Sequence, residues 1–281
     1  MGIAQAISFF VFLCVATVST AANQTPFSDL KGSPKLRSAS ALVLDAQGNL
    51  IFGKDVDTIR PIASITKVMT AMVVLDATLD MQEKITITKA DRDLVRLTGS
   101  RLEYGAKLTR HELLGLALMS SENRAATALG RTYPGGMAAF VDAMNIKASA
   151  LGMDNSEFAD PAGLLSQNVS TAADLAKLVN AADQYPLITQ ATTTTRMDVR
   201  PYRGRGPLTY GNTNRLLKNK KWHIELSKTG YINEAGRCLV MQANIAGEDI
   251  SIVLLNSFGK LTPFGDSNRL RDWMLTASAA S

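Results

Sequence analysis

The chain has 281 residues, of which 46% are hydrophobic and 20% are charged, and its formal net charge is +5. This is the composition of an ordinary globular protein, and the length is enough for one domain of two lobes with a large core. No dense run of Lys and Arg is interleaved with aromatic residues, so the sequence predicts no nucleic-acid partner.

Residues 1–22 are predicted to be a signal peptide for export. The twelve-residue apolar run from Ile7 to Val18 is too short to span a bilayer comfortably, and small residues follow it. The segment before the run departs from the usual pattern, because it contains no Lys or Arg. We expect cleavage after Ala21 or Ala22, and a polar linker over residues 23–37.

The predicted elements begin with a β-hairpin and a buried helix. Residues 39–45 and 50–54 read as two strands around the turn sequence Ala46-Gln47-Gly48-Asn49. The helix starts near Ser64 and runs to about Asp76, with apolar residues at helical spacing. Residues 84–88 then alternate like a short strand.

The middle of the chain is predicted to be helical, and the last third returns to strands. A capping box between Thr109 and Glu112 opens a helix that ends near Met119. Further helices are predicted to start at residue 121 and to cover residues 137–151 and 171–183, with a loop over 158–169. β structure is predicted over residues 192–197, 222–229, 237–245 and 250–255, and a final helix over 267–276.

This order of strands, helices, strands and helix predicts an α/β (α+β) fold. The first and last strands most simply share one sheet, and the helical middle forms a second lobe. We expect residues 38–277 to form this domain and residues 278–281 to be a short tail. The active site would lie in the cleft between the lobes.

The Cys and His content bounds the chemistry. Export would leave Cys238 as the single cysteine, in a segment typical of a buried strand, so we expect no intramolecular disulfide. One Cys with His111 and His223 cannot supply a typical zinc site, and we predict no metal and no cofactor. The absence of a Gly-x-Ser-x-Gly sequence argues against a Ser-His-Asp hydrolase of that type.

The strongest candidate for chemistry is a Ser-x-x-Lys motif at the start of the buried helix. The motif occurs three times, as Ser28 with Lys31, Ser64 with Lys67, and Ser257 with Lys260. The first lies in the polar linker, and the third follows a strand and contains a Gly. Ser64 and Lys67 would share one helix face. Ser64 also fits an ordinary N-cap, whereas Lys67 in a first turn opposes the helix dipole and is therefore a functional candidate.

Two further motifs follow in order along the chain. Ser121-Glu122-Asn123 opens a predicted helix, and Lys228-Thr229-Gly230 ends a predicted strand. A rival Ser-x-Asn at residues 166–168 lies in a loop. Each motif also has an ordinary interpretation, as a helix cap or as a solvated strand end. The order Ser-x-x-Lys, Ser-x-Asn, Lys-Thr-Gly is the signature of penicillin-binding proteins and serine β-lactamases.

With these motifs the chain resembles the low-molecular-mass penicillin-binding proteins, peptidase family S11, and among them the D-alanyl-D-alanine endopeptidases of the penicillin-binding protein 7 type. The resemblance runs from about residue 38 to residue 273 and rests on residues 60–67, 118–126, 168–172, 228–230 and 236–241. It implies a β-lactamase/DD-peptidase-like fold with an antiparallel sheet, and a serine peptidase that hydrolyses D-alanyl bonds in peptidoglycan.

The resemblance also implies partners and a location. The expected partners are the peptide stems of peptidoglycan, with β-lactam antibiotics as covalent inhibitors. We expect a periplasmic protein that is either free or loosely attached to the membrane. We expect no transmembrane anchor beyond the signal peptide.

The resemblance implies a nucleophile, a base and a proton relay. In this family the motif Ser is the nucleophile and the motif Lys is the base, which implies these roles for Ser64 and Lys67. A base is needed because a Ser hydroxyl is a poor nucleophile until its proton is taken. We expect the helix end and the nearby Lys228 to lower the pKa of Lys67 and so make neutral amine available. Ser121 would pass the proton to the leaving amine. The amide N–H groups of Ser64 and Tyr231 would form the oxyanion hole, where each donor contributes roughly 3–4 kcal/mol.

The remaining motif positions would bind the substrate. Asn123 would hold a substrate amide, and Lys228 with Thr229 would bind a substrate carboxylate. Gly230 would let the substrate backbone lie close to the strand. The charged neighbours that we interpret as structural or solvent-facing are Glu122, Arg124 and Arg237.

Several activities remain open on the sequence alone. Endopeptidases and D-Ala-D-Ala carboxypeptidases both cut a D-alanyl bond by acyl transfer, so the preference for the D-Ala–meso-diaminopimelate cross-link comes from the resemblance. Class A β-lactamases need a Glu in Glu-x-x-Leu-Asn, and the nearest candidate, Glu157, does not match. A non-catalytic peptidoglycan-binding module is disfavoured because all the motif residues are present.

Overall fold

The computed structural model describes residue 2, residues 26–27 and residues 30–279. The predicted signal peptide lies outside the described residues except at residue 2, as do residues 23–25 and 28–29 of the predicted linker and residues 280–281 of the predicted tail. Within the described part of the chain, no helix is long and apolar enough to cross a membrane.

The main strands and helices follow the order that the sequence predicts: strands, then helices, then strands, then a final helix. The strands are β1 (Ser38–Leu44), β2 (Leu50–Lys54), β3 (Arg60–Pro61), β4 (Lys84–Thr86), β5 (Lys107–Thr109), β6 (Val169–Ser170), β7 (Arg196–Val199), β8 (Leu208–Gly211), β9 (His223–Ile232), β10 (Gly236–Ile245) and β11 (Glu248–Ser257). The α-helices are α1 (Thr66–Asp76), α2 (Arg110–Met119), α3 (Asn123–Arg131), α4 (Gly136–Ala150), α5 (Ala172–Asp183), α6 (Pro186–Thr193) and α7 (Thr262–Ser278).

One five-stranded antiparallel sheet joins the two ends of the domain. Its strand order is β2-β1-β11-β10-β9, which confirms that the first and last strands share a sheet. Residues on β10 and β11 are apolar on both faces because both faces are covered. Val240 and Val253 face the helical lobe, whereas Leu239 and Leu254 pack in the cluster that contains Leu270 of α7. Strand β9 is left at one edge of the sheet.

Helix α1 runs through the centre of the helical lobe. Val68, Met69, Met72 and Val73 are all buried, and the helix contacts α3, α4 and α5. Burying each such side chain contributes about 1.5–3 kcal/mol. A helix surrounded in this way cannot shift easily, so the residues at its N-terminus have a rigid foundation.

One predicted element is wrong in type, and another is much shorter than the helix in the structure. Residues 192–197 were expected to form β structure, but residues up to Thr193 belong to helix α6, and the strand β7 starts only at Arg196. Pro186 sits in the first turn of α6, where its fixed φ favours a helix, and Thr193 Oγ1 donates to the carbonyl of Thr189 at 2.8 Å. The last helix, α7, is longer than predicted because a Pro likewise occupies its first turn.

Candidate active site

Ser64 lies two residues before helix α1 and does not cap it. The residue belongs to a 3₁₀ turn, Ala63–Ile65, and α1 begins at Thr66 with no side-chain hydrogen bond at its N-cap. The observed start of the helix thus lies two residues after Ser64, close to the predicted start near Ser64. Ala63 adopts a left-handed conformation, with φ of 49°, and this turns the chain so that Ser64 lines the cleft.

Lys67 is fully buried directly beneath Ser64. Its Nζ donates to Ser64 Oγ at 2.8 Å, to Asn123 Oδ1 at 2.8 Å, and to the Ala162 carbonyl. The Ser64 hydroxyl also points at that carbonyl, 3.4 Å away. Nζ is thus held by three acceptors on different elements, and one of them is the hydroxyl that it would have to deprotonate.

Burial lowers the pKa of Lys67 to about 8. The carboxylates of Asp160, Glu122 and Asp93 act in the opposite direction, because they favour the ammonium form. The direction agrees with our expectation, but the cause differs: loss of water is the main effect, rather than the helix end. The neutral amine is therefore a substantial species at mildly alkaline pH.

A loop held by one carboxylate supplies the Ala162 carbonyl. The carboxylate of Asp160 accepts from the backbone N–H groups of Ala162, Gly163 and Leu165 at 2.6–2.7 Å. It also accepts from Nδ2 of Asn168 at 2.7 Å. Asn168 belongs to the rival Ser-x-Asn sequence, and its side chain braces this loop outside the cleft. The local signal that could have found the loop is the sequence Asp160-Pro-Ala-Gly, which is typical of an Asx turn.

Ser121 and Asn123 lie where helix α2 gives way to α3. Ser121 has a positive φ of 59°, and its Oγ accepts from Lys228 Nζ at 3.0 Å. Asn123 begins α3 and bridges the site, since its Nδ2 also donates to Thr98 Oγ1 at 2.9 Å. The N-cap of α3 is Glu122, whose carboxylate accepts from the next turn. Ser121 is therefore not an ordinary helix cap.

The Lys-Thr-Gly motif lies inside strand β9, not at its end. Lys228 is only 1% exposed, which rules out a solvated strand end. Its Nζ donates to Ser121 Oγ and to the Thr229 carbonyl, both at 3.0 Å. Burial, followed by repulsion from Lys67, holds the pKa of Lys228 well below its usual range. Thr229 Oγ1 is hydrogen-bonded to Thr213 Oγ1 at 2.7 Å.

Gly230 permits a close approach between two parts of the protein itself. A Cβ at this position would lie 2.8 Å from the Ile62 carbonyl and 3.1 Å from the Ser64 nitrogen. Any side chain would push β9 away from the turn that carries Ser64. This structural role is separate from the predicted one, in which the glycine makes room for substrate backbone and which stays a prediction. Tyr231, the next residue, is 47% exposed, and the Arg237 guanidinium lies 3.6 Å above its ring.

The predicted site residues meet at a cleft with two arms that join at Ser64. The larger arm, which we call the Thr229 arm, has a volume of about 370 Å³ and contains Ser64, Thr229 and Gly230. The smaller arm, the Thr98 arm, has about 230 Å³ and also reaches Ser64. Residues common to both arms are Ser64, Asn123 and Tyr231. Lys67 and Lys228 lie buried beneath the floor.

Sequence reasoning missed a set of cations on the Thr229 arm. Arg215, Arg237 and Lys260 line it, although Arg237 was assigned outside the site. The sequence signal for them is weak, because each is a single basic residue without a motif. Within the described residues, no group of His, Cys, Asp and Glu side chains is placed to hold a metal ion.

Cys238 lines the same arm, but its thiol is unreactive. The thiol lies on β10 and is buried, as predicted, and burial raises its pKa to about 11. Its nearest polar partner is the Ala235 carbonyl, 3.6 Å from Sγ. The thiolate is therefore a negligible species at neutral pH.

Comparison with known proteins gives one consistent family. The sequence profile of peptidase S11, described as D-alanyl-D-alanine carboxypeptidase, matches residues 27–259. A D-alanyl-D-alanine endopeptidase of Pseudomonas aeruginosa is 45% identical over 98% of this chain and 89% of its own length. An Escherichia coli D-alanyl-D-alanine endopeptidase is 44% identical over 96% and 87%. The crystal structure of the Streptomyces K15 DD-transpeptidase has a TM-score of 0.80 at 28% identity, covering 87% of this chain and 99% of that one.

Proposed function

The chain belongs to the peptidase S11 family of D-alanyl-D-alanine carboxypeptidases, and from this we infer that it is a penicillin-binding serine DD-peptidase acting on peptidoglycan. The endopeptidase relatives favour the D-Ala–meso-diaminopimelate cross-link as the bond that is hydrolysed. Carboxypeptidase activity on a terminal D-Ala is the second candidate, because the family profile carries that description. A signal peptide and a periplasmic location complete the proposal.

One observation carries the chemistry: Lys67 Nζ lies 2.8 Å from Ser64 Oγ in a dry environment. With a pKa near 8, part of the Lys67 population is neutral and can take the hydroxyl proton. Ser64 Oγ then attacks the carbonyl carbon of the D-Ala residue and forms a tetrahedral intermediate. Collapse of that intermediate breaks the C–N bond and leaves an ester between Ser64 and the D-alanyl group.

The neighbouring groups complete the cycle. The leaving amine takes the proton from Lys67, and Ser121, which lines the cleft and accepts a hydrogen bond from Lys228, would relay it. Water then attacks the ester, gives its proton back toward Ser64, and releases the D-alanyl carboxylate. The amide N–H groups of Ser64 and Tyr231 would stabilise the oxyanion in both steps.

Substrate binding uses the groups on β9 and α3. A substrate carboxylate beside Thr229 would favour the ammonium form of the buried Lys228, whose pKa burial and Lys67 hold well below its usual range. Asn123 already offers its amide to Lys67 and Thr98, and would exchange one of these contacts for a substrate amide.

The proposal is tested with a fluorescent penicillin and with purified sacculi. We expect a covalent adduct on Ser64 of the wild type and none on Ser64→Ala. Digestion of sacculi should reduce cross-linked muropeptide dimers. Trimming of pentapeptides without loss of dimers would assign the carboxypeptidase instead, and rapid turnover of nitrocefin would point to a β-lactamase. Absence of any adduct on the wild type would refute the serine mechanism.

A further inference from the structure

The Thr229 arm carries more positive charge than one terminal carboxylate requires. Arg215, Arg237 and Lys260 line this arm, in addition to Lys228 beneath its floor. Among the described residues that line the arm there is no Asp or Glu. Three cations that converge on one cavity without a counter-ion repel one another, and an anionic ligand relieves that repulsion.

Arg237 is held ready to bind an anion. It lies on β10 opposite Tyr231 of β9, and the guanidinium rests 3.6 Å above the tyrosine ring. Stacking occupies one face of the guanidinium and leaves the in-plane N–H donors free for a carboxylate. Within the described part of the chain, Arg237 makes neither an ion pair nor a side-chain hydrogen bond. It is half-buried, while Arg215 and Lys260 are exposed at the mouth of the arm.

The Thr98 arm provides the contrast inside the same cleft. Its arginine, Arg96, is paired with Glu234 at 2.9 Å and also donates to the Leu164 carbonyl. The positive charge of that arm is therefore already satisfied by the protein. The cations without an ion-pair partner among the described residues of the cleft lie on the Thr229 arm. This is the arm where Thr229 and Lys228 would bind the carboxylate of the leaving group.

We propose that Arg215, Arg237 and Lys260 form a second anion subsite, which binds a distal carboxylate of the leaving strand and so favours cross-links over single stems. The inference rests on the proposed peptidase function. A leaving D-Ala has one carboxylate, which Lys228 and Thr229 suffice to bind. The leaving strand of a cross-link continues as a second peptide stem with further carboxylates, and only that strand would bring a second carboxylate to the three cations.

The test compares three substrates on the full-length protein: a cross-linked peptide dimer, the same dimer with the distal carboxylates of the leaving strand amidated, and a single pentapeptide stem. The variants are Arg215→Gln and the double variant Arg215→Gln/Arg237→Gln. The control is Arg203→Gln/Lys220→Gln, which removes the same charge from exposed positions outside the cleft. Acylation by a fluorescent penicillin reports on the Ser64 site independently.

We expect the double variant to lose roughly tenfold in kcat/KM on the dimer and less than about twofold on the single stem and on penicillin. Amidation should cost the wild type a similar factor and the double variant nothing more, because the two changes remove the same contact. Equal losses on all three reactions, or an unchanged preference for the dimer, would overturn the proposal. Failure of the wild type to react with penicillin or dimer would refute the peptidase function itself.

Discussion

The two buried lysines of the site are held in place by different parts of the fold, one by a loop and the other by a strand of the main sheet. Lys67 is held from a helix end by contacts to a loop, and that loop depends on the single carboxylate of Asp160. Lys228 projects from the middle of β9, where its residue is paired with Val240 of β10 in a regular ladder. A change in a few hydrogen bonds of the loop would shift the surroundings of Lys67. Lys228 can move only if strand β9 moves with the sheet.

Their electrostatic surroundings differ in the same way. Carboxylates on neighbouring elements partly offset the burial of Lys67, and its pKa stays at about 8. Lys228 has no such compensation, and the nearby Lys67 lowers its pKa further. A base is useful when its pKa lies near the working pH, whereas an anion-binding amine needs its charge only when ligand arrives. The contrast fits the roles proposed above, Lys67 as the base and Lys228 as the group that binds a carboxylate.

The largest expected effect tests the lysine on the loop side. Lys67→Met leaves an unbranched side chain that is one atom shorter and lacks the amine, so we expect acylation by penicillin to slow by roughly 10³-fold. Stopped-flow or gel-based acylation rates measure this, and thermal unfolding shows whether the variant is folded. Acylation within tenfold of the wild type would mean that another group takes the Ser64 proton.

The next effect tests the packing of the loop. Gly163 has a φ of 72°, and a Cβ there would lie 2.0 Å from the Ala63 carbonyl, in the turn that carries Ser64. We expect Gly163→Ala to lower the free energy of unfolding by about 3 kcal/mol, measured by urea denaturation.

Gly204→Ala is the matched control for Gly163→Ala. Gly204 also has a positive φ, of 75°, but a Cβ there would meet nothing within 4 Å. The control therefore isolates the cost of placing a Cβ in the left-handed backbone conformation, which is about 1–2 kcal/mol. Equal losses in the two variants would show that the loop does not press on the turn.

The strand side gives a smaller effect on catalysis. Lys228→Gln removes the charge that would bind the substrate carboxylate, and we expect kcat/KM on a D-alanyl peptide to fall roughly 10- to 100-fold. The loss should be weaker for a peptide whose terminal carboxylate is amidated, because that substrate lacks the contact. An equal loss on both peptides would contradict carboxylate binding by Lys228.

The smallest expected effect is a shift in pH dependence. Acylation by the free enzyme should rise about tenfold per pH unit below pH 8 and level off above it, because the neutral Lys67 is the reactive form. Glu122 favours the protonated form, so Glu122→Gln should lower the pKa of Lys67 and move the profile to lower pH. Gln preserves an acceptor for the Ala125 N–H at the α3 N-cap.

At pH 7 the Glu122→Gln variant should therefore acylate faster, by less than about tenfold, with an unchanged plateau rate. A profile that moves to higher pH would contradict the sign of the interaction. A profile that does not move would mean that the base is not Lys67.

Much of the fold follows from local sequence. The hairpin around Gly48, the capping box at Thr109 and the apolar strands β10 and β11 each carry their own signal, and all three are confirmed. Helix α6 was missed because its Thr-rich end has high β propensity, while the burial of Ile188 and Thr192 that favours the helix depends on tertiary packing.

The sequence predicted which residues line or underlie the candidate site. It did not predict the neighbouring groups that hold them in position. Three short motifs pick out the side chains that converge on the cleft. The Ala162 carbonyl beside Lys67 and the dry surroundings that lower its pKa are products of chain segments far apart in sequence. The cations of the Thr229 arm, which have no ion-pair partner among the residues that the structure describes, could not be predicted either, because isolated basic residues form a site only when the fold brings them together.

The quiet thiol of Cys238 has a practical consequence for following this protein. Between residue 23 and residue 281 it is the single cysteine in the sequence, and it is buried and protonated at neutral pH. A new cysteine introduced on the rim of either arm, at the exposed Asn233 or Lys260, would therefore be the thiol that a maleimide dye modifies. Once the predicted signal peptide with Cys14 is removed, such a label would report on occupancy of one arm at a time without replacement of Cys238.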